Sequence, residues 1–291
     1  MAIIPAILFG KGGGEDTGEF MKIGQGVKAS AMGGAVVASV DGAEATYWNP
    51  AGLVNTKRRE LLGIYTKHFE DIKLGFIGYA QPFSKDSAIG INVIFMNADG
   101  GEEVIGDKNG HQKTGKTLNV ECRSFTFSYA KKQENLSIGC SIKSIHQDYA
   151  GYRGSSLAYD IGSTIDISPI LLGLCISNIR GKQKIDNVEN KVPFTIMAGV
   201  GYKYGDMLLF EIDVERRKGK KNILHLGCEY HLLPNIDIRG GYDSASGFSF
   251  GFGTRSQGRG VFKNIIAQID YACLYNDELA LSHRFSLLTR F

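Results

Sequence analysis

The stretch LALSHRFSLLTRF, residues 279–291, decides the fold because its side chains alternate between two faces with a period of two. One face carries Leu279, Leu281, His283, Phe285, Leu287, Thr289 and Phe291. The other carries Ser282, Arg284, Ser286 and Arg290, and Leu288 is the one residue that does not fit. The period is that of a β-strand, and a tilted strand of this length can cross a bilayer. A terminal Phe is typical of a strand that closes a transmembrane barrel, while the alternative is the edge strand of a soluble sandwich.

Composition narrows the class of protein. The chain has 291 residues, 43% of them hydrophobic, but no apolar run reaches the roughly 18 residues that a membrane helix needs. The balance of 38 Gly against 6 Pro favours closely packed strands over disorder. A net charge of +3 gives no support for nucleic acid as a partner. The 5 cysteines stand singly, without the spacing of a metal site or a disulfide framework, so we interpret them as small apolar wall residues.

The alternation returns in one segment after another from residue 60 onward. In the segment 208–215, one face consists of Leu208, Phe210, Ile212 and Val214, and the other of Glu211, Asp213 and Glu215. Counting such segments predicts about 14 strands. An even number of antiparallel strands suits a closed transmembrane barrel whose apolar face meets lipid and whose polar face lines the lumen.

The connections between these segments alternate in length. Those after even-numbered strands are short, at 84–86, 131–133, 168–169, 204–206 and 233–235, with 253–260 as the exception. Those after odd-numbered strands include long ones, which we predict as external loops at 97–117, 148–155 and 180–191. Such sorting is typical of outer-membrane barrels with tight turns at one end, and a soluble sandwich gives no reason for it.

The N-terminal part differs from the rest. Residues 1–18 hold a short apolar run and a Gly-rich stretch, interpreted as the remnant of a signal peptide or a disordered leader, with a packed strand as the alternative. Small residues follow at near-helical spacing (Ala29, Met32, Gly33, Val36, Val37 and Val40) before the breaks at 41–42 and 49–50. We predict a short, Gly-weakened helix and a compact loop that are stable only when packed inside something.

Three blocks of this part carry a resemblance to a known family: KIGQGVKASAMGGA (22–35), DGAEA (41–45) and YWNPAGL (47–53). They resemble the PorV/PorQ-type outer-membrane family, which is related to the FadL-like transporters of hydrophobic compounds. The resemblance continues in FEDIK (69–73), GYAQPF (78–83) and HRFS (283–286). It implies an all-β chain, with a 14-stranded antiparallel barrel over residues 56–291 and a short helical segment over residues 19–55 inside the lumen, here called the hatch.

The resemblance also implies a function and a location in the bacterial outer membrane. FadL-like members pass fatty acids or other apolar small molecules through the barrel, whereas PorV-like members serve type IX protein secretion as accessory proteins. We favour hatch-gated uptake of apolar small molecules and keep the secretion scaffold, acting through external loops at 97–117 and 180–191, as the alternative. The implied partners are outer-membrane lipid with an apolar ligand such as a fatty acid, or secretion-system proteins.

The candidate ligand-binding or gating residues lie in the hatch. Asn49, Pro50 and Ala51 match the AsnProAla motif of FadL-like hatches, and Pro50 makes this turn rigid whether it moves or only fixes the plug. Trp48, the single tryptophan, is interpreted first as a packing anchor and second as a ligand contact. Met32 and Tyr47 complete the set.

The charged residues on the inward faces receive a structural interpretation. We expect Glu211, Asp213, Glu215, Arg239, Arg284 and Arg290 to pair and hold the plug, with a charged path as the alternative. His225, Glu229 and His231 share a strand face, but alternate positions are about 7 Å apart, too far for one metal ion without further ligands. No nucleophile stands beside a His and an acid, so we predict no enzyme activity, no cofactor and no metal.

Overall fold

The computed structural model describes residues 19–67, 72–107, 110–185, 188–258, 260, 263–276 and 280–291. Residues 1–18, and with them the predicted leader, lie outside this part. The helices of the described part are short: α-helices α1 (Val27–Ala31) and α2 (Ala45–Trp48), and 3₁₀ helices at Glu19–Lys22, Gly42–Glu44 and Pro50–Asn55. None of these helices has the length and apolar character needed to cross a membrane.

Sixteen strands follow in the described part of the chain. Their bounds are β1 Glu60–Lys67, β2 Lys73–Pro82, β3 Ser87–Asp107, β4 Gly110–Gln133, β5 Leu136–Tyr149, β6 Tyr152–Ile167, β7 Ile170–Ile179, β8 Lys182–Ile185, β9 Val188–Lys191, β10 Thr195–Tyr204, β11 Leu208–Arg217, β12 Ile223–Leu233, β13 Ile236–Asp243, β14 Gly247–Gln257, β15 Ile266–Asn276 and β16 Ala280–Arg290.

Fourteen of these strands form one closed antiparallel barrel, which confirms the predicted fold class. Each strand pairs with its neighbours in sequence, except that β10 pairs with β7 because β8 and β9 form a separate hairpin. The barrel closes where β16 pairs with β1, from Glu60 opposite Arg290 to Thr66 opposite Arg284. The last stretch of the chain is therefore the closing strand, as its alternation predicts.

The wall exposes large apolar side chains on its outer face and buries charged side chains on its inner face, which is the reverse of a soluble protein. On β11, Phe210, Ile212 and Val214 point outward and are 48%, 54% and 44% exposed. Between them, Glu211, Asp213 and Glu215 point into the lumen and are 1%, 0% and 6% exposed. Burying charge while exposing large apolar side chains is unfavourable in water and suits a barrel whose outer face meets lipid.

The closing strand shows the same arrangement. Leu281, Phe285 and Leu287 are exposed outward, whereas Arg284 and Ser286 are buried inside. Leu288, the misfit of the alternation, points inward and joins the buried apolar cluster.

Two of the predicted external loops are wrong. Within 97–117, β3 continues to Asp107 and β4 begins at Gly110, and within 148–155, β5 ends at Tyr149 and β6 begins at Tyr152. Glycines and charged residues interrupt the alternation of the sequence in these stretches, although the strand pairing continues. The third connection, 180–191, contains the β8–β9 hairpin. We call this end of the barrel the extended end, and the end where β1 begins and β16 ends the short-turn end.

The hatch lies inside the barrel, where its short helices contact β1–β6 on one side and β13–β16 on the other. The helix predicted in this part as short and weakened by glycine corresponds to α1, which ends at Ala31. Gly33 and Gly34 follow with φ of 64° and 84°, a conformation that glycine adopts readily and that stops the helix. The predicted domain boundaries after residues 18 and 55 stay predictions.

Candidate functional site

A belt of glycines on the lumen wall lies in close contact with the hatch. A Cβ atom at any of these positions would lie within 3.0 Å of a hatch atom. The belt consists of Gly78, Gly90, Gly139, Gly162, Gly173, Gly199, Gly227, Gly241 and Gly251, on nine different strands. Several are direct cross-strand partners, such as Gly139 with Gly162 and Gly227 with Gly241. The hatch therefore fits against the wall around most of its circumference, which explains the glycine content.

Polar side chains of several strands lie beside this belt and bind main-chain groups of the hatch. On β11, Asp213 Oδ2 accepts hydrogen bonds from the N–H groups of Val36 and Val37, both at 2.8 Å. Glu211 Oε1 accepts one from the N–H of Ala38 at 2.6 Å. These carboxyl groups supply acceptors to a segment outside the helices, whose N–H groups would otherwise be buried without partners.

Arg284 on β16 binds the hatch as a hydrogen-bond donor, whereas the carboxyl groups of β11 act as acceptors. Its Nη1 donates to the carbonyl oxygen of Gly24 and, at 2.6 Å, to Ser30 Oγ. The side chain is buried, and among the described residues no carboxylate forms an ion pair with it, while its Nε has no hydrogen-bond partner. The sequence places Arg284 on the inward face but contains no signal for its partners, which lie more than 250 residues away in the chain.

The AsnProAla turn lies deep in the hatch. Asn49 Nδ2 donates to the carbonyl oxygens of Val37 at 2.8 Å and Ser163 at 3.2 Å, and its Oδ1 accepts from the N–H of Ala51 at 3.1 Å. The last bond caps the 3₁₀ helix that begins at Pro50. All three motif residues are buried, so they join the hatch to the wall.

The other predicted site residues occupy two different positions. Met32 is fully buried against the wall glycines Gly227 and Gly241. Tyr47 and Trp48 are only partly buried and meet edge to face, with ring centroids 5.1 Å apart. The Tyr47 hydroxyl donates to the carbonyl oxygen of Met21 at 2.7 Å, and Trp48 Nε1 donates to that of Gln25. These two aromatic side chains thus hold residues 21–25 in place.

A cavity of about 310 Å³ lies on the extended-end side of the hatch; we call it the upper cavity. Its lining includes apolar and aromatic side chains of the hatch and the wall, among them Met21, Ile23, Tyr47, Trp48, Met197 and Phe248. Its polar lining includes Lys143, Glu215, His225, Ser282 and Arg284. Of the six predicted site residues, Tyr47 and Trp48 line this cavity, whereas the described lining does not include Met32, Asn49, Pro50 or Ala51.

Two adjoining polar cavities, of about 730 and 520 Å³, lie on the short-turn side of the hatch and together form what we call the lower vestibule. Both are lined by Lys28, Asp41 and Glu229. Lys28 Nζ lies 2.8 Å from Glu229, which in turn lies 2.6 Å from Arg239 Nε. The hatch therefore separates a partly apolar cavity from a charged one.

The predicted pairing of the lumen charges is present for Glu215, Arg239 and Arg290, whereas Glu211, Asp213 and Arg284 bind groups of the hatch instead. Arg239 binds Glu229, Asp237 and Asp270, while Arg290 binds Glu60 at 2.9 Å. Removing one member of such a buried network leaves its partner uncompensated, so these pairs join strands of the wall, and Lys28 of the hatch joins the network through Glu229.

The three residues considered as metal ligands do not converge. His225 Nδ1 lies 2.8 Å from the Gly33 carbonyl oxygen, and His231 Nδ1 lies 2.6 Å from Asp237. Glu229 is occupied by Lys28 and Arg239. Among the described residues, no group of three or more His, Cys, Asp or Glu side chains has the arrangement of a metal site.

Three titratable groups of the hatch, outside the strands, have shifted pKa values. Burial, with Asp270 as an acidic neighbour, raises the pKa of the Glu44 carboxyl to about 8. Burial also raises the pKa of the Tyr47 phenol above its usual value, so it remains a hydrogen-bond donor. Burial lowers the pKa of Lys28, but the Glu229 carboxylate and Asp41 outweigh this effect and raise it, so Lys28 is a cation at neutral pH.

Comparison with solved structures shows the same barrel in other proteins. The toluene transporter TbuX of Ralstonia pickettii is 14% identical, with 92% of this chain and 98% of that chain covered and a TM-score of 0.61. The CymD monoaromatic hydrocarbon channel is 14% identical over the same shares, with a TM-score of 0.65. A FadL homologue of Pseudomonas aeruginosa is 12% identical, again over 92% and 98%, with a TM-score of 0.61.

At these identities the similarity shows the fold. No protein-family model matches the sequence, and a search of curated proteins gave no match.

Proposed function

We propose that this chain is an outer-membrane barrel that takes up apolar small molecules, with the upper cavity as the binding site and the hatch as the gate. The observation that carries the proposal is a cavity with Tyr47 and Trp48 at the hatch, inside a barrel whose outer face is apolar. Its volume lies at the lower end of the range of about 300–1,000 Å³ that is usual for small-molecule sites. The similarity to a toluene transporter and a monoaromatic hydrocarbon channel supports the same class of cargo.

The predicted site residues have two roles in this proposal. Tyr47 and Trp48 contact the ligand, because they line the upper cavity. Met32, Asn49, Pro50 and Ala51 position the gate, because they are buried against the wall. Binding needs no catalytic residue, since burial of apolar surface supplies about 25 cal/mol per Å².

The single tryptophan gives a direct test. Detergent-purified protein is titrated with toluene, and separately with oleate, while the emission of Trp48 is followed. We expect a saturable change in emission for at least one of them, because the ligand displaces water beside the indole ring.

Two neighbouring residues of β16 provide a matched pair of variants. Ser282→Phe places a ring in the upper cavity, whereas Leu281→Phe changes the adjacent, outward side chain, which is 53% exposed. We expect the first to weaken the apparent affinity at least tenfold and the second to leave it unchanged. The same loss in both variants, or no emission change in the unmodified protein with either ligand, contradicts the proposal.

The second candidate is the secretion accessory protein of the PorV/PorQ type. The observation favouring it is the extended end, where β3 and β4 run for 21 and 24 residues and form a paired rim above a plugged lumen. This candidate predicts that an exported protein co-purifies with the barrel and is lost when residues 100–116 are removed, while Trp48 emission does not respond to apolar ligands.

A further inference from the structure

Residues 36–38 of the hatch form the partition between the two cavities. Gly33 and Gly34 line the upper cavity, whereas Ser39 and Asp41 line the lower vestibule. The Val37 side chain packs against Cys175 and Met197 of the wall. The contacts that hold residues 36–38 against the wall therefore also keep the two cavities separate.

Its polar attachment consists of the Glu211 and Asp213 carboxyl groups. Together they accept the N–H groups of Val36, Val37 and Ala38 through one oxygen each. The remaining oxygens, Glu211 Oε2 and Asp213 Oδ1, are buried, and neither forms a hydrogen bond with another described group. The two side chains are neighbours on the inward face of β11 and interact with each other, and the Ser39 hydroxyl of the hatch is a further neighbour of Glu211.

Neither β10 nor β12, the two strands that pair with β11, places an unpaired cation beside the two carboxyl groups. On β10, the facing residues are Gly199 and Gly201, which carry no charge. On β12, Glu211 faces Gly227 and Asp213 faces His225, and His225 is engaged by Gly33 and Glu215.

The remaining charged neighbours are also engaged elsewhere. The next inward residue of β11, Glu215, is bound by Arg217, while Lys28 of the hatch is bound by Glu229. Two buried carboxylates in contact cannot both be ionised without a compensating charge, because neither desolvation nor their mutual repulsion is offset.

We propose that Glu211 and Asp213 share one proton and that this protonated pair is a latch that fixes residues 36–38 of the hatch to the barrel wall. The proton lies between Glu211 Oε2 and Asp213 Oδ1 and supplies the donor that these oxygens lack. Loss of this proton puts two negative charges side by side in the wall, and residues 36–38 then leave it. The latch would regulate the proposed passage, and in that respect it rests on the proposed function.

Hydrogen exchange of the amides of residues 36–38 tests the latch without any ligand. Exchange is measured between pH 6 and 10 on the full-length protein in detergent, and each rate is corrected for the chemical exchange rate at that pH. We expect protection to fall by about tenfold per pH unit as long as the latched pair holds a proton that the released carboxyl groups do not, and to level off once the latched pair is ionised. Protection that stays constant between pH 6 and 10 overturns the proposal.

Isosteric variants assign the effect to the pair. In Glu211→Gln the amide oxygen still accepts from Ala38 and the amide nitrogen donates to Asp213, so we expect protection that no longer depends on pH. Asp213→Asn should behave in the same way. Glu44→Gln, which removes another buried hatch carboxyl, should keep the pH dependence. A fall in protection with pH that persists in both Glu211→Gln and Asp213→Asn overturns the assignment of the effect to this pair. If the variants do not fold, the pH profile of the unmodified protein is the test of the latch.

A separate measurement connects the latch to passage. Entry of toluene into vesicles, taken as the excess over entry into vesicles without the protein, should be faster at pH 10 than at pH 7 for the unmodified protein and equal at the two values for Glu211→Gln. Equal rates in the unmodified protein, together with lost protection, overturn the role of the latch as a gate. Absence of any entry or Trp48 response refutes the proposed function and leaves the exchange result to decide the latch.

Discussion

At the scale of single residues, the lumen is organised by side chains that bind main-chain groups. Asn49 illustrates this best, because one amide bridges the hatch segment at Val37, the wall at Ser163 and its own helix at Ala51. The sequence singles out Asn49 by its motif. Its two more distant partners are backbone carbonyl oxygens, which no residue type marks, so the bridge itself could not be predicted.

Replacing Asn49 with Ala should therefore destabilise the folded barrel. Several buried groups lose their partner together, and we expect a loss of about 1–3 kcal/mol in the free energy of unfolding. Asn119→Ala, on the exposed side of β4, is the control and should change stability by less than about 0.5 kcal/mol. Urea unfolding in lipid vesicles provides the comparison, and equal effects of the two substitutions would contradict the bridging role.

At the scale of elements, the wall and the hatch are matched through the glycine belt. Gly139→Val introduces a side chain whose first carbon would clash with the backbone of Pro50 and Ala51. Because overpacking of this kind costs about 1–3 kcal/mol, we expect a lower unfolding midpoint and weaker exchange protection in the hatch. Gly63→Val on β1, where a Cβ meets nothing within 4 Å, should leave the unfolding midpoint and the exchange protection of the hatch unchanged. Loss of hatch protection in both variants would show that the belt has no special role.

The strands themselves were predictable where the outward face is apolar and the inward face lines the lumen. There the alternation is strict, as in β11 and β16, and it gives both the element and the direction of each side chain. It fails for the outer halves of β3 and β4, where glycines and charged residues interrupt the alternation and the sequence resembles a loop. It also fails for α1, because Gly33 and Gly34 end a helix that the spacing of apolar residues would continue.

At the scale of the whole molecule, the polarity of the wall defines the environment in which this chain is stable. Phe285 lies midway along β16 and is 56% exposed, so Phe285→Arg would put a charge on the outer face near mid-height. In a bilayer, Phe285→Arg should lower the free energy of unfolding by about 2–4 kcal/mol, whereas a charge near the interface costs only about 0–1 kcal/mol. Tyr152→Arg, at the extended end, is therefore the control with the smaller expected effect. A soluble protein would tolerate both substitutions equally, and urea unfolding in vesicles distinguishes the cases.

The candidate site at this scale was only partly predictable. The resemblance of residues 22–53 to known hatches led to Tyr47 and Trp48, which line the upper cavity. Arg284 was recognised only as an inward charge, and the pairing of Glu211 with residues of the hatch was not specified. Both depend on which wall positions lie beside which hatch atoms, and that follows from barrel closure and strand register.

The fit between the hatch and its glycine belt also constrains the order in which the molecule can be assembled. The hatch contacts belt glycines on nine strands of a closed ring, so a folded hatch and a finished ring leave little room to come together. The hatch precedes β1 in the chain, and the ring is completed only when β16 meets β1. Because the hatch is stable only when packed, we expect hatch and wall to fold together, with the hatch enclosed as β16 meets β1.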